Sequence, residues 1–237
     1  AQRILTAGDD GMLRIWAATD GQPLFAIPAD PTHVNAAHWD DDGRRILTAG
    51  EDGTARIWDA EQGKQLTALT GHKGAVRLAH WNATGDQVLT GGSDGTVRIW
   101  DVQSGDEVLR LTGHSGLITS AAWSGDESRI LTAGDDTTAR VWDATTGDEL
   151  LALEGHTNSV ISAAWSPDET MVLTASLDHT ARIWDAETGD ELLVLDQHTD
   201  AVRQARWNQE GYLVLTISAD KTARIWDAFT GEMLFAL

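Results

Sequence analysis

None of the 237 residues is cysteine, which excludes a disulfide framework, a thiolate metal centre and a cysteine nucleophile together. Only four prolines occur, and there is neither a Pro/Ser-rich linker nor a shift in composition, so one domain is expected over 1–237. No apolar run approaches the length of a membrane span and no basic-then-apolar leader opens the chain, so a soluble, cytoplasmic protein with no membrane partner is expected. Lysine is confined to Lys64, Lys73 and Lys221, and the formal net charge of -20 is spread along the chain. Such a surface repels phosphate backbones and anionic lipid, which excludes nucleic acid as an expected partner. Tyrosine occurs once and phenylalanine three times against 11 tryptophans, a bias that a repeated position explains.

The repetition is explicit. Five consecutive segments of 42 residues, 28–69, 70–111, 112–153, 154–195 and 196–237, align without gaps, and 1–27 matches the last 27 positions of the same unit. Segments 112–153 and 154–195 agree at 26 of 42 positions, which points to duplication. Within each unit, short runs rich in Val, Ile, Leu, Thr and Trp alternate with Gly/Asp/Asn/Ser turns. In the second full unit these runs predict strands over Val76–Trp81, Gln87–Gly91, Thr96–Asp101 and Glu107–Leu111.

Asp94-Gly95 marks a tight hairpin, and glycine recurs at 21, 63, 105, 147, 189 and 231, where a positive φ is expected. No segment of helical length has a 3.6-residue period. A four-stranded antiparallel sheet cannot bury both faces alone, but copies stacked face to face can, which predicts an all-β propeller.

The words that open and close the units carry a family resemblance. Trp-Asp stands at 58–59, 100–101, 142–143, 184–185 and 226–227, with Trp16-Ala17 in the first copy. Gly-His stands at 71–72, 113–114 and 155–156, with Gln197-His198 and Ala29-Asp30 as departures. This register resembles the WD-repeat (WD40) β-propeller family over the whole chain. The resemblance implies a structural network in each blade: His72, Thr90, Asp94 and Trp100; His114, Thr132, Asp136 and Trp142; His156, Thr174, Asp178 and Trp184; His198, Thr216, Asp220 and Trp226. Asp30 replaces the histidine in 28–69, so that blade is expected to be looser around Thr48, Asp52 and Trp58. Because Ala1 falls in the middle of a blade, the first blade is expected to lack its innermost strand and the chain to be part of a seven-bladed ring.

Repeated His, Asp and Thr would also suit a hydrolase triad, but four near-equivalent triads suit blade fastening better, and no catalytic residue and no cofactor is assigned. His33, His38, His80 and His179 show no metal-ligand spacing and are expected to be solvated or packed, with no metal site. Asp40-Asp41-Asp42-Gly43 lacks the alternating ligands and distal glutamate of a calcium loop and reads as a turn. The second tryptophan set, Trp39, Trp81, Trp123, Trp165 and Trp207, is expected to pack between blades.

What varies between copies is the set of positions that the family commonly uses at the rim of its central channel. These are Asn35, Arg77, Thr119, Ile161 and Arg203 after the first-strand Val, Ile118 in the third case, and Asp9, Glu51, Ser93, Asp135, Leu177 and Ala219 before the turn Asp. The resemblance implies a non-catalytic protein-protein interaction scaffold or sensor module, part of a larger protein. A propeller-type hydrolase and an amplified or designed repeat scaffold without a selected ligand are the alternatives. Arg77 and Arg203, three units apart, are expected either to clamp an acidic or phosphorylated peptide or to neutralise rim acids such as Glu51 and Asp135.

Overall fold

The computed structural model describes residues 2–237, and among them every regular element is a strand. Contacts divide the chain into two compact units, 1–112 and 113–237. The first unit holds a three-stranded sheet, β1 (Arg3–Ala7), β2 (Met12–Ala17) and β3 (Pro23–Pro28), and two four-stranded sheets. These are β4 (Val34–Trp39), β5 (Arg45–Gly50), β6 (Thr54–Asp59) and β7 (Gln65–Thr70), then β8 (Val76–Trp81), β9 (Gln87–Gly92), β10 (Thr96–Asp101) and β11 (Glu107–Thr112).

The second unit holds three four-stranded sheets: β12 (Ile118–Trp123), β13 (Arg129–Gly134), β14 (Ala139–Asp143) and β15 (Glu149–Leu153); β16 (Val160–Trp165), β17 (Met171–Ser176), β18 (Ala181–Asp185) and β19 (Glu191–Leu195); β20 (Val202–Trp207), β21 (Leu213–Ser218), β22 (Ala223–Asp227) and β23 (Met233–Ala236). Every sheet is an antiparallel meander in sequence order. The strands expected in 70–111 are found with β9 and β11 one residue longer.

Within each unit the core lies between consecutive sheets, as apolar residues on both faces of each strand require. Leu47, Ala49, Ile57 and Leu69 of one sheet meet Val76, Ala79, Val88 and Trp100 of the next. Leu131, Val141 and Leu153 meet Val160, Val172 and Trp184 in the same way in the second unit. Fully burying one such side chain contributes about 1.5–3 kcal/mol, so face-to-face stacking, and not any single sheet, stabilises the fold.

Gly21, Gly63, Gly105, Gly147, Gly189 and Gly231 all have φ between 66° and 78°, the left-handed region expected of a position filled by glycine in every copy. The hairpin tip behaves differently in the two units. Gly11, Gly53 and Gly95 occupy it in the first, whereas Thr137, His179 and Lys221 hold φ of 70°, 75° and 71° in the second.

Candidate functional site

Two constructions repeat in every full sheet, one that fastens the sheet and one that presents its end. The fastening begins with a tryptophan indole N–H donating to a threonine hydroxyl on the neighbouring strand: Trp58 to Thr48 at 2.9 Å, and Trp100, Trp142, Trp184 and Trp226 to Thr90, Thr132, Thr174 and Thr216 at 2.8 Å. Each of those last four threonines lies 2.7–2.8 Å from the Nε2 of His72, His114, His156 or His198. The Nδ1 atoms of those histidines lie 2.7–3.0 Å from Asp94, Asp136, Asp178 and Asp220. With Nε2 accepting from the threonine hydroxyl, Nδ1–H donates to the carboxylate, which fixes one tautomer along a continuous chain of donors.

The network reaches further than the sequence reading carried it. Thr96, Thr138, Thr180 and Thr222 donate to the same aspartates, and Arg98 pairs with Asp94 at 3.2 Å and with Glu107 at 2.7 Å. Arg140 and Arg182 pair likewise with Glu149 and Glu191. Burial alone would raise the aspartates, but hydrogen bonds from the imidazole, the threonine hydroxyl and loop N–H groups hold Asp94 and Asp178 well below the usual carboxylate range and lower Asp136 as well. Burial also lowers His72 and His114, against the opposing pull of their aspartates.

The sheet with Asp30 is not left with a gap. Its buried carboxylate accepts from the N–H and hydroxyl of Thr32, the N–H of His33 and the N–H of Asp52, and Arg56 lies 3.6 Å away. A carboxylate is too short to span from the loop to Thr48, so it fastens the loop and the turn directly. The histidine link is absent around Thr48, Asp52 and Trp58, as expected, and a second arrangement stands in its place, with Asp52 bound to Arg56 at 2.5 Å.

At the opposite end of the sheets, a set of arginines that sequence reasoning missed holds the second tryptophans. Arg3, Arg45 and Arg129 lie 4.7, 4.7 and 4.5 Å from the ring centroids of Trp39, Trp81 and Trp165 in the following sheet. Arg45 also donates to Asp40 at 2.7 Å and to the carbonyl of Gly85 at 2.8 Å, while Arg129 donates to the carbonyl of Ala186 at 3.1 Å. The signal was the recurrent Arg-Ile-Leu-Thr-Ala-Gly at 3–8, 45–50 and 129–134. Asp40 to Asp42 form a turn, with Asp40 accepting from the N–H groups of Arg44 and Arg45.

The rim positions share a backbone device that the sequence did not reveal. Asn35, Arg77, Thr119, Ile161 and Arg203 each sit where the register between the first two strands of a sheet shifts, between Val34/Ala36, Val76/Leu78, Ile118/Ser120, Val160/Ser162 and Val202/Gln204. Such a bulge re-aims the side chain out of the ladder. In the first unit these groups satisfy one another. Arg77 pairs with Glu51 at 3.2 Å and bonds Ser93 and Asn35, and Asn35 donates to Glu51 and to the carbonyl of Val76. Asp9 lies 3.1 Å from His33, on an exposed surface.

In the second unit Thr119 donates to the carbonyl of Val160, repeating the contact of Asn35, while Asp135 is exposed. Arg203 occupies the place of Arg77, but the places of Ser93, Asn35 and Glu51 are taken by Ala219, Ile161 and Leu177. Arg203 is exposed and makes no ion pair with any described residue.

His179 is exposed at a hairpin tip, whereas His38 and His80 lie against each other on β4 and β8. Among the described residues no group of three or more His, Asp or Glu is placed to hold a metal ion.

Comparison with known proteins agrees with this geometry. A search of curated proteins gives no match. Among solved structures, the computationally designed Ika8 protein is similar over the full length of this chain and 71% of its own, at 27% identity and a TM-score of 0.89. The family described as WD domain, G-beta repeat matches residues 21–59, 63–101, 105–143, 147–185 and 189–227. Those five matches take in every Trp-Asp pair and the fasteners built on them, and the chain belongs to the WD40 family of WD-domain, G-beta repeats.

Proposed function

We propose that the chain is a non-catalytic protein-interaction scaffold, and that the second unit takes a peptide segment presenting a carboxylate or phosphate beside an apolar side chain, held at Arg203. The observation that carries this is the replacement of all three partners of Arg77 by Ala219, Ile161 and Leu177 around Arg203. A guanidinium with no acceptor among the described residues, set at a bulge on a molecule of net charge -20, is a recognition element at no cost of a broken ion pair. Half-buried Ile161 and Leu177 supply the apolar floor, and exposed Lys221, on the same hairpin as Ala219, adds a second cation.

The His-Asp-Thr sets support the non-catalytic reading. They recur at one geometry in four sheets, and the histidine side chains are 0–1% exposed, so no substrate reaches them. Arg77, one arm of the expected two-arginine clamp, is engaged by Glu51, which leaves Arg203 as the anchor.

The test is selection from a displayed random peptide library that includes phosphorylated members. Enrichment of Asp, Glu or phosphoresidues next to large apolar residues is expected, and binding that weakens with salt. Enrichment of basic sequences, or of apolar sequences without an acid, would overturn the reading.

A further inference from the structure

The framework position before the last residue of the first strand is alanine at 122 and 164 and arginine at 206, but histidine at 38 and 80, in consecutive sheets of the first unit. Nothing in the sheet requires imidazole there. The two rings stand with centroids 5.1 Å apart and planes tilted by 41°. His38 is exposed, His80 half-buried, and neither ring hydrogen-bonds to another described residue. Among the described residues no carboxylate pairs with either ring, so no protein partner takes up their nitrogens.

We propose that His38 and His80 form a two-imidazole site for a late first-row divalent cation such as Ni2+, Cu2+ or Zn2+. Metal-nitrogen bonds of about 2.1 Å put the cation about 3.2 Å from each ring centroid, and a tetrahedral angle at the cation separates the centroids by about 5.2 Å. The observed centroid separation of 5.1 Å matches this. Imidazole selects these cations, whereas Mg2+ and Ca2+ call for carboxylates, and among the described residues none pairs with either ring. Two protein ligands leave the remaining positions to water or to a ligand from a partner, so the site is open. Bound metal would also tie β4 to β8, joining one sheet to the next independently of the fasteners.

The test is calorimetric titration of the full chain with NiCl2 at neutral pH. One saturable site per chain is expected, weakened by His38→Gln and by His80→Gln about tenfold or more, since losses even in the outer shell of a metal site cost about 10–100-fold. His33→Gln with His179→Gln, the two other imidazoles outside the fasteners, is expected to leave it unchanged. Ni2+ should raise the thermal midpoint of the native chain and not that of the His38→Gln, His80→Gln double variant. Absence of saturable binding, or a site that survives in the folded double variant, overturns the proposal. Neither result bears on Arg203.

Discussion

Replacing His156 by alanine removes the centre of a fastener. Its side chain is fully buried, 2.7 Å from the Thr174 hydroxyl and 2.8 Å from Asp178. Thr174 keeps the indole N–H of Trp184, and Asp178 keeps the N–H and hydroxyl of Thr180 and the N–H of Thr157. What is lost is one bond to a charged acceptor, about 1.5–3 kcal/mol, and one neutral bond, about 0.5–1.5 kcal/mol, so the expected destabilisation is about 2–4.5 kcal/mol. His33, by contrast, is 36% exposed and faces an Asp9 that is 95% exposed, and His33→Ala should cost under about 0.5 kcal/mol. Equilibrium denaturant unfolding of both variants measures the difference. A double-mutant cycle with Asp178→Asn should show coupling of about 1 kcal/mol or more. Equal shifts for His156→Ala and His33→Ala would refute the network as a source of stability.

Thr137 pays for a left-handed conformation that glycine adopts freely, so Thr137→Gly should raise the thermal midpoint, by about 1 kcal/mol in stability. Gly53→Ala should do the reverse and cost about 2–3 kcal/mol, because the added Cβ meets the Gly74 carbonyl at 2.8 Å at a φ of 84°. Arg45→Ala removes a cation–π contact and bonds to Asp40 and Gly85, and should cost about 2 kcal/mol by denaturant unfolding; Arg45→Lys should not restore it, lacking the planar fork. The folded His72 and His114 bind protons less tightly than the unfolded chain, whose histidines titrate near 6.5; stability should be full above about pH 6.5 and fall as the pH drops through that value, as a pH series of unfolding midpoints would show.

Much of the fold was legible because the repeat writes it six times. Glycine at 63, 105 and 147 marked a left-handed turn, and the tryptophan beside each third-strand Asp marked a buried indole. The fastening histidines were found through the family resemblance, and Arg98 with Glu107 was missed because an ion pair between neighbouring strands depends on a register shift at Ile99/Trp100. At Asp30 the sequence showed the missing histidine but not the loop N–H groups from which the carboxylate accepts instead. The rim residues could be numbered, but not the bulge that turns them outward. The sequence did offer Glu51 as an acid that neutralises Arg77, and the structure pairs them, but it did not show that Leu177 leaves Arg203 open. His38 and His80 lie 42 residues apart, a spacing that means proximity only once the sheets are stacked.

The direct test of the account is the affinity of a library-selected acidic peptide for the native chain, Arg203→Ala and Arg77→Ala, measured by calorimetry with the fold checked by circular dichroism. Loss of a charge-assisted contact of about 1.5–3 kcal/mol at Arg203 should weaken binding about 10–100-fold, while Arg77→Ala should change it less than about twofold. Equal losses in the two variants, or unchanged affinity in Arg203→Ala, would contradict the account.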